Sequence, residues 1–130
     1  MIVVDTNVIL HLWLDTAESE AARALLDTDP EWCAPLLWRS EIRDALVLLV
    51  RHRSLPLDAA KEIVRSAEEL LGGREFAVDT GTVLDLAFSS GCSACDCEFV
   101  ALAQALGVRL VTTEKQILRA FPRVARALGR

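Results

Sequence analysis

Four acidic residues stand where apolar runs end. Asp5 follows Ile2-Val3-Val4, Glu41 sits inside Trp38-Arg39-Ser40-Glu41-Ile42, Asp96 opens an apolar helical stretch, and Glu114 comes just past Leu110-Val111-Thr112-Thr113. A carboxylate directly after a buried strand lands at the carboxyl end of a sheet, where open α/β folds bind their ligands. If the fold gathers all four, each pair held ~4 Å apart repels by about 4 kcal/mol at an effective dielectric of 20. Such a cluster must take up protons or cations. Hard divalent cations, Mg²⁺ or Mn²⁺, are the natural counter-charge for oxygen ligands, and they keep several waters.

Each acid also has a plainer role open to it. Asp5 is a good helix cap, although Thr6 and Asn7 beside it are caps as well. Asp96 is a favourable charge in a first helical turn. Glu41 is flanked by Arg39 and Arg43, and an ion pair with Arg43 two residues on is poorly oriented on a helix, which favours an inward role. Asp44 shares the Glu41 face and reads best as a surface charge, while Glu98, two residues from Asp96, points away from it. His11 and His52 adjoin no acidic block and form no acid/base pair. Cys92, Cys95 and Cys97 cluster while Cys33 is distant, so a second zinc knuckle is missing; buried thiols are the better reading, with a local Cys92–Cys95 redox event as a lesser one. Trp13, Trp32 and Trp38 have apolar neighbours and read as core or interface anchors.

The elements that must position these residues alternate. Strands are predicted at residues 1–4, 32–34, 76–78 and 109–111. Helices are predicted from Thr6 or Asn7 to about residue 14, then over 16–26, 36–53, 57–71, 82–88 and 94–106. Ser93 is the expected cap of the last of these, and Thr112 or Thr113 of a final helix beginning near Glu114. The alternation predicts one α/β domain over residues 1–130, three-layered, with a central parallel sheet covered by helices.

With 130 residues, 52% apolar and 25% charged, the chain has the composition of a globular protein able to bury a core without disulfides. A mean hydropathy of +0.32 suggests that a partner covers part of its apolar surface. The first residues lack a basic leader, and the apolar run 45–50 is too short to span a bilayer, so a cytoplasmic address and no membrane association are expected. The net charge of −5 argues against a nucleic-acid partner, but its distribution does not. From Lys115 onward the chain holds five basic residues and no acid: Lys115, Arg119, Arg123, Arg126 and Arg130. On a continuous helix they form one cationic stripe, which reads equally as a solvated tail; Pro122 is expected to break it.

Taken in order, Ile2-Val3-Val4-Asp5-Thr6-Asn7-Val8, Leu37-Trp38-Arg39-Ser40-Glu41-Ile42-Arg43, Asp96-Cys97-Glu98-Phe99-Val100-Ala101-Leu102-Ala103 and Leu110-Val111-Thr112-Thr113-Glu114-Lys115 resemble the PIN-domain ribonucleases, most closely the VapC-type toxins of toxin–antitoxin pairs. The resemblance spans essentially the whole chain. It implies a metal-dependent endoribonuclease with Asp5, Glu41, Asp96 and Glu114 as catalytic and metal-holding residues, and with Thr6, Asn7, Thr112 and Thr113 positioning substrate or water. Lys115 and Arg119 are candidate RNA contacts. Products with a 5′-phosphate and a 3′-hydroxyl, an antitoxin partner and a homodimer are also implied. The fourth acid is usually Asp in that family and is Glu114 here; one methylene moves a carboxylate by about 1.5 Å. Two rivals remain: a non-catalytic interaction module of the same fold, which Glu114 favours, and a receiver-type domain with Asp79 as phosphoacceptor.

Overall fold

A computed structural model describes residues 1–129, and Arg130, the last member of the basic series, lies outside the described residues. The elements run β1 (Ile2–Val4), α1 (Thr6–His11), α2 (Ser19–Thr28), β2 (Trp32–Pro35), α3 (Trp38–Arg51), α4 (Leu57–Leu71), β3 (Glu75–Phe76), α5 (Thr80–Ser90), α6 (Ala94–Leu106), β4 (Leu110–Thr112), α7 (Lys115–Ala120) and β5 (Ala125–Ala127). All pairings are parallel, in the order β3-β2-β1-β4-β5. Helix α6 lies on β1, β2 and β4, with α5 packed against it; α1 to α4 form a second helical group, α4 against β2 and α1 against β4. This is the expected three-layer α/β/α arrangement. Among the described residues no single helix is long and apolar enough to cross a membrane.

The central strands are buried throughout, which parallel strands covered on both faces require. Trp32 and Trp38 are fully buried with them, and Trp13 packs against the same core half-buried. The start of α3 is fixed by a polar clamp. The Trp38 indole N–H donates to Glu75, and the Arg39 guanidinium spans Glu75 at 2.8 Å and Glu68 at 2.6 Å, which holds the Glu75 carboxyl below its usual range.

Several local expectations are corrected. Asp5 caps α1 in place of Thr6 or Asn7: its backbone is extended and its carboxylate accepts from Val8 N–H at 2.9 Å. Glu114 occupies the cap position of α7, with its own N–H donating to the Thr112 hydroxyl at 2.9 Å, so Thr112 serves that helix from outside it. β3 falls two residues earlier than a strand ending at Val78 would, because Asp79 is drawn into capping α5 through Thr82. The basic series is no continuous stripe: α7 stops at Ala120, and Arg126 lies in β5, a strand the sequence pattern did not announce, 3.6 Å from Asp29. The receiver-type reading fails on topology. Such a domain places its third strand beside the first, whereas β3 is an edge strand here and Asp79 is an exposed cap.

Candidate active site

Strand order makes the site. The chain moves outward from β1 through β2 to β3, then returns to the other side of β1 as β4, so the strand order reverses between β1 and β4. Connections diverge there and leave a crevice beyond the carboxyl ends of the two strands. Asp5 follows β1 directly and Glu114 stands two residues past the end of β4; Glu41 comes from the first turn of α3 and Asp96 from the first turn of α6. All four line one cleft of about 250 Å³, together with Thr6, Asn7, Asp44, Phe99 and Ile117.

Of the four acids singled out in the sequence, Asp5, Glu41 and Glu114 are each held by neighbouring polar residues also singled out there. Asp5 is buried, and its Oδ2 accepts the Thr112 hydroxyl and, at 3.0 Å, the Thr113 N–H. With Val8 N–H on Oδ1, three of the roughly four lone-pair sites of the carboxylate are used, leaving one for the cleft. Thr6 donates to Glu41 Oε1 at 2.7 Å, and Asn7 Nδ2 donates to Glu114 Oε1 at 3.3 Å. Asp96 stands third in its helix, its N–H donating to the Ser93 hydroxyl at 3.1 Å, as the predicted cap requires.

The electrostatics record crowded negative charge. Burial pushes the Asp5 carboxyl up against the lowering effect of its three donors and of the His11 ring. Glu41 is raised by burial, then by Asp96, Asp5 and Glu98, with Thr6 opposing. Glu114 is raised by burial and by Asp5 and Asp96, with Asn7 opposing. A cation between them relieves these strains, and an all-oxygen donor set suits a hard one. Among the described residues no group of three or more His, Cys, Asp or Glu side chains is drawn together as a closed metal shell. The donor set therefore fits Mg²⁺ or Mn²⁺ in chemistry, with side chains that must still converge on the ion.

Asp44 is a correction: read as a surface charge, it lines the cleft, one turn of α3 beyond Glu41. Its i, i+3 spacing from Glu41 was the available signal. Phe99 and Ile117, the apolar members of the lining, were not singled out. Glu98 does not line the cleft, although its charge reaches Glu41. Lys115 and Arg119 are exposed on α7, outside the cleft lining. His11 is closer to the site than its sequence neighbours implied, yet its Nδ1 is engaged with the Thr16 hydroxyl at 2.9 Å.

Comparison with known proteins bears on the whole chain. The family model of the PIN domain matches residues 2–126. No curated protein matches. Among solved structures, PAE2754 from Pyrobaculum aerophilum superposes with a TM-score of 0.78 at 18% identity, covering 98% of this chain and 90% of that one. A toxin–antitoxin complex from Klebsiella pneumoniae gives 0.71 at 16% identity, covering 97% and 96%. FitAcB from Neisseria gonorrhoeae gives 0.71 at 21% identity, covering 96% of each chain. At these identities the structures establish a shared fold.

Proposed function

The chain belongs to the PIN-domain family, and on that premise we propose that it is a metal-dependent endoribonuclease, the toxin of a toxin–antitoxin pair. PIN domains are generally nucleases. The observation that carries the reading is the convergence of Asp5, Glu41, Asp96 and Glu114 on one cleft at the reversal of strand order, each of the first, second and fourth tied by a hydroxyl, amide or backbone donor. Asp5, Glu41, Asp96 and Glu114 would hold Mg²⁺ or Mn²⁺. Such a cation, when bound, acidifies a water and stabilises negative charge on a phosphodiester.

The protein supplies orientation and charge. Thr112 and Thr113 fix Asp5, Thr6 fixes Glu41, and Asn7 steadies Glu114, so these four residues position the acids directly and, through them, the scissile phosphate. No side-chain nucleophile is required, and hydrolysis leaves a 5′-phosphate and a 3′-hydroxyl. Lys115 and Arg119, both exposed on α7, would meet the RNA backbone beyond the cleft. An RNA substrate sets the work in the cytoplasm.

The partners follow from the apolar surface. Phe88 is 95% exposed and Leu84 59% exposed, one turn apart on α5, and a homodimer face there would cover them. An antitoxin segment that neutralises the acidic cleft with a basic side chain is the second partner. Cleavage of a labelled RNA by the purified protein in Mn²⁺, with EDTA and Asp96→Asn as controls, tests the activity. Cleavage that persists in EDTA, or in Asp96→Asn, overturns the reading. Light scattering tests the dimer, which Phe88→Ser should dissociate.

A further inference from the structure

The start of α6 is built from cysteines in a way that the nuclease reading does not use. Ser93 is the cap, so Cys92 stands one position before it and Cys97 in the fourth position of the helix. Those are the two positions whose apolar side chains ordinarily meet across a helix start and fix the angle at which the chain enters. Here both are thiols. They belong to one small buried cluster with Val83 and Ala101, separate from the main core, and neither is in a disulfide. The Ser90 hydroxyl lies against both residues, which places them side by side at the start of the helix. Between them in sequence lies Asp96.

The same thiols tie α6 to its surroundings. The Cys92 thiol donates to the Gln116 carbonyl on α7 at 3.9 Å, and Gln116 Nε2 donates back to the Gly91 carbonyl at 3.0 Å. Cys97 Sγ and Ser90 Oγ are 3.9 Å apart, and Ser90 Oγ also accepts the Cys92 N–H at 3.1 Å. The elements that bear Asp96 and Glu114 are thus joined through Cys92.

We propose that Cys92 and Cys97 are a reversible oxidation site whose disulfide takes the place of the apolar contact at the start of α6 and changes how Asp96 is presented to the cleft. The oxidant is a hydroperoxide. Cys92, 4% exposed against 0% for Cys97, meets it first. Its sulfur attacks the O–O bond and becomes a sulfenic acid, while the departing oxygen leaves as water or an alcohol with the thiol proton. The Cys97 sulfur then attacks the Cys92 sulfur, the S–O bond breaks, and the hydroxyl leaves as water with the Cys97 proton. Two thiols lose two electrons and the peroxide gains them. The bridge withdraws the Cys92 thiol from Gln116 and the Cys97 thiol from Ser90, which loosens the α6 start from α7 while the Gln116 amide still holds the Gly91 carbonyl.

The effect on the cleft rests on the nuclease reading, whereas the bridge itself does not. The experiment treats the folded Cys95→Ser protein with hydrogen peroxide, so that the exposed third thiol cannot compete, and measures its mass and its Mn²⁺ affinity before and after. A loss of two hydrogens is expected, with Asp-N fragments on either side of residue 96 remaining linked until dithiothreitol is added. Cys97→Ala in the same background should form no bridge. Mn²⁺ binding should weaken by about tenfold on oxidation, as for loss of a group that orients a ligand, and recover on reduction. Thiols that stay reduced overturn the site, and a bridge that leaves Mn²⁺ affinity unchanged overturns its coupling to Asp96. Reduced protein that binds no Mn²⁺ overturns both that coupling and the nuclease reading, while the mass result still decides the bridge.

Discussion

Thr6 donates its hydroxyl to Glu41 at 2.7 Å, joining the first turn of α1 to the first turn of α3 across 35 residues of chain. The hydroxyl opposes the upward push that burial and the neighbouring acids give Glu41. Replacing it with the isosteric Thr6→Val removes the donor and keeps the volume. Mn²⁺ affinity or cleavage should fall by about tenfold with the melting temperature little changed, as for loss of a group that orients a ligand. Equal affinity in the two proteins, by calorimetric titration, would remove the role assigned to Thr6.

Asp5→Asn should abolish cleavage and also cost stability. Asp5 accepts from Val8 N–H, Thr113 N–H and the Thr112 hydroxyl, and an asparagine has only one oxygen to offer them. Its amide must face at least one of these donors, a mismatch costing about 1–2 kcal/mol, partly offset because a buried charge is removed. RNA cleavage reads the first effect and chemical denaturation the second. An Asp5→Asn protein with full activity would exclude Asp5 from the chemistry.

How much of this was legible varies by element. Helices α4 and α6 lie where the sequence placed them, because Pro56, Gly72, Ser93 and Gly107 punctuate both ends. The cap of α1 was ambiguous because Asp5, Thr6 and Asn7 are all good caps, and only the extended backbone at Asp5 decides among them. β5 was illegible: Ala125-Arg126-Ala127 has no β-branched or aromatic residue, and it is a strand because β4 offers an edge. The four acids were legible as ends of apolar runs. Their gathering depends on the strand order, which no local pattern encodes, and the inward placement of Asp44 depends on the way α3 is clamped by Arg39 to Glu75 and Glu68.

Acidity should stabilise the metal-free protein. Asp5, Glu41 and Glu114 are all raised in the fold, with burial the first cause in each. A raised carboxyl binds protons more readily folded than unfolded, so its contribution is complete below the ordinary values, 3.8 for Asp and 4.5 for Glu, and is lost as pH rises through the elevated ones. The melting temperature in EDTA should therefore decline as pH rises above that range, after allowance for other groups by comparison with Glu41→Gln. Saturating Mn²⁺ should reverse the decline, since cation and proton compete for the same oxygens. A pH profile identical with and without Mn²⁺ would count against a metal site.

Glu114 separates direct from water-mediated service to the cation. Its Oε1 is steadied by Asn7 at 3.3 Å. If water intervenes, Glu114→Asp should keep activity or raise it, whereas Glu114→Gln should weaken Mn²⁺ binding. Should Glu114 act only as a charge at the start of α7, worth about 0.3–1 kcal/mol, Glu114→Gln would lower the melting temperature slightly and leave Mn²⁺ affinity intact.

The parallel pairing of β1 with β4 also sets a timetable. Asp5 is synthesised well before two of its three hydrogen-bond donors, Thr112 and Thr113, which follow it by 107 and 108 positions. Contacts of such separation close late in folding, after the loop entropy of the intervening chain has been overcome. A nascent polypeptide emerging from the ribosome carries Asp5 with its helix cap alone, its second oxygen still unclaimed. The acidic cleft is a product of the finished fold, so an interrupted translation product ending before β4 contains three of the four acids and no place for them to meet.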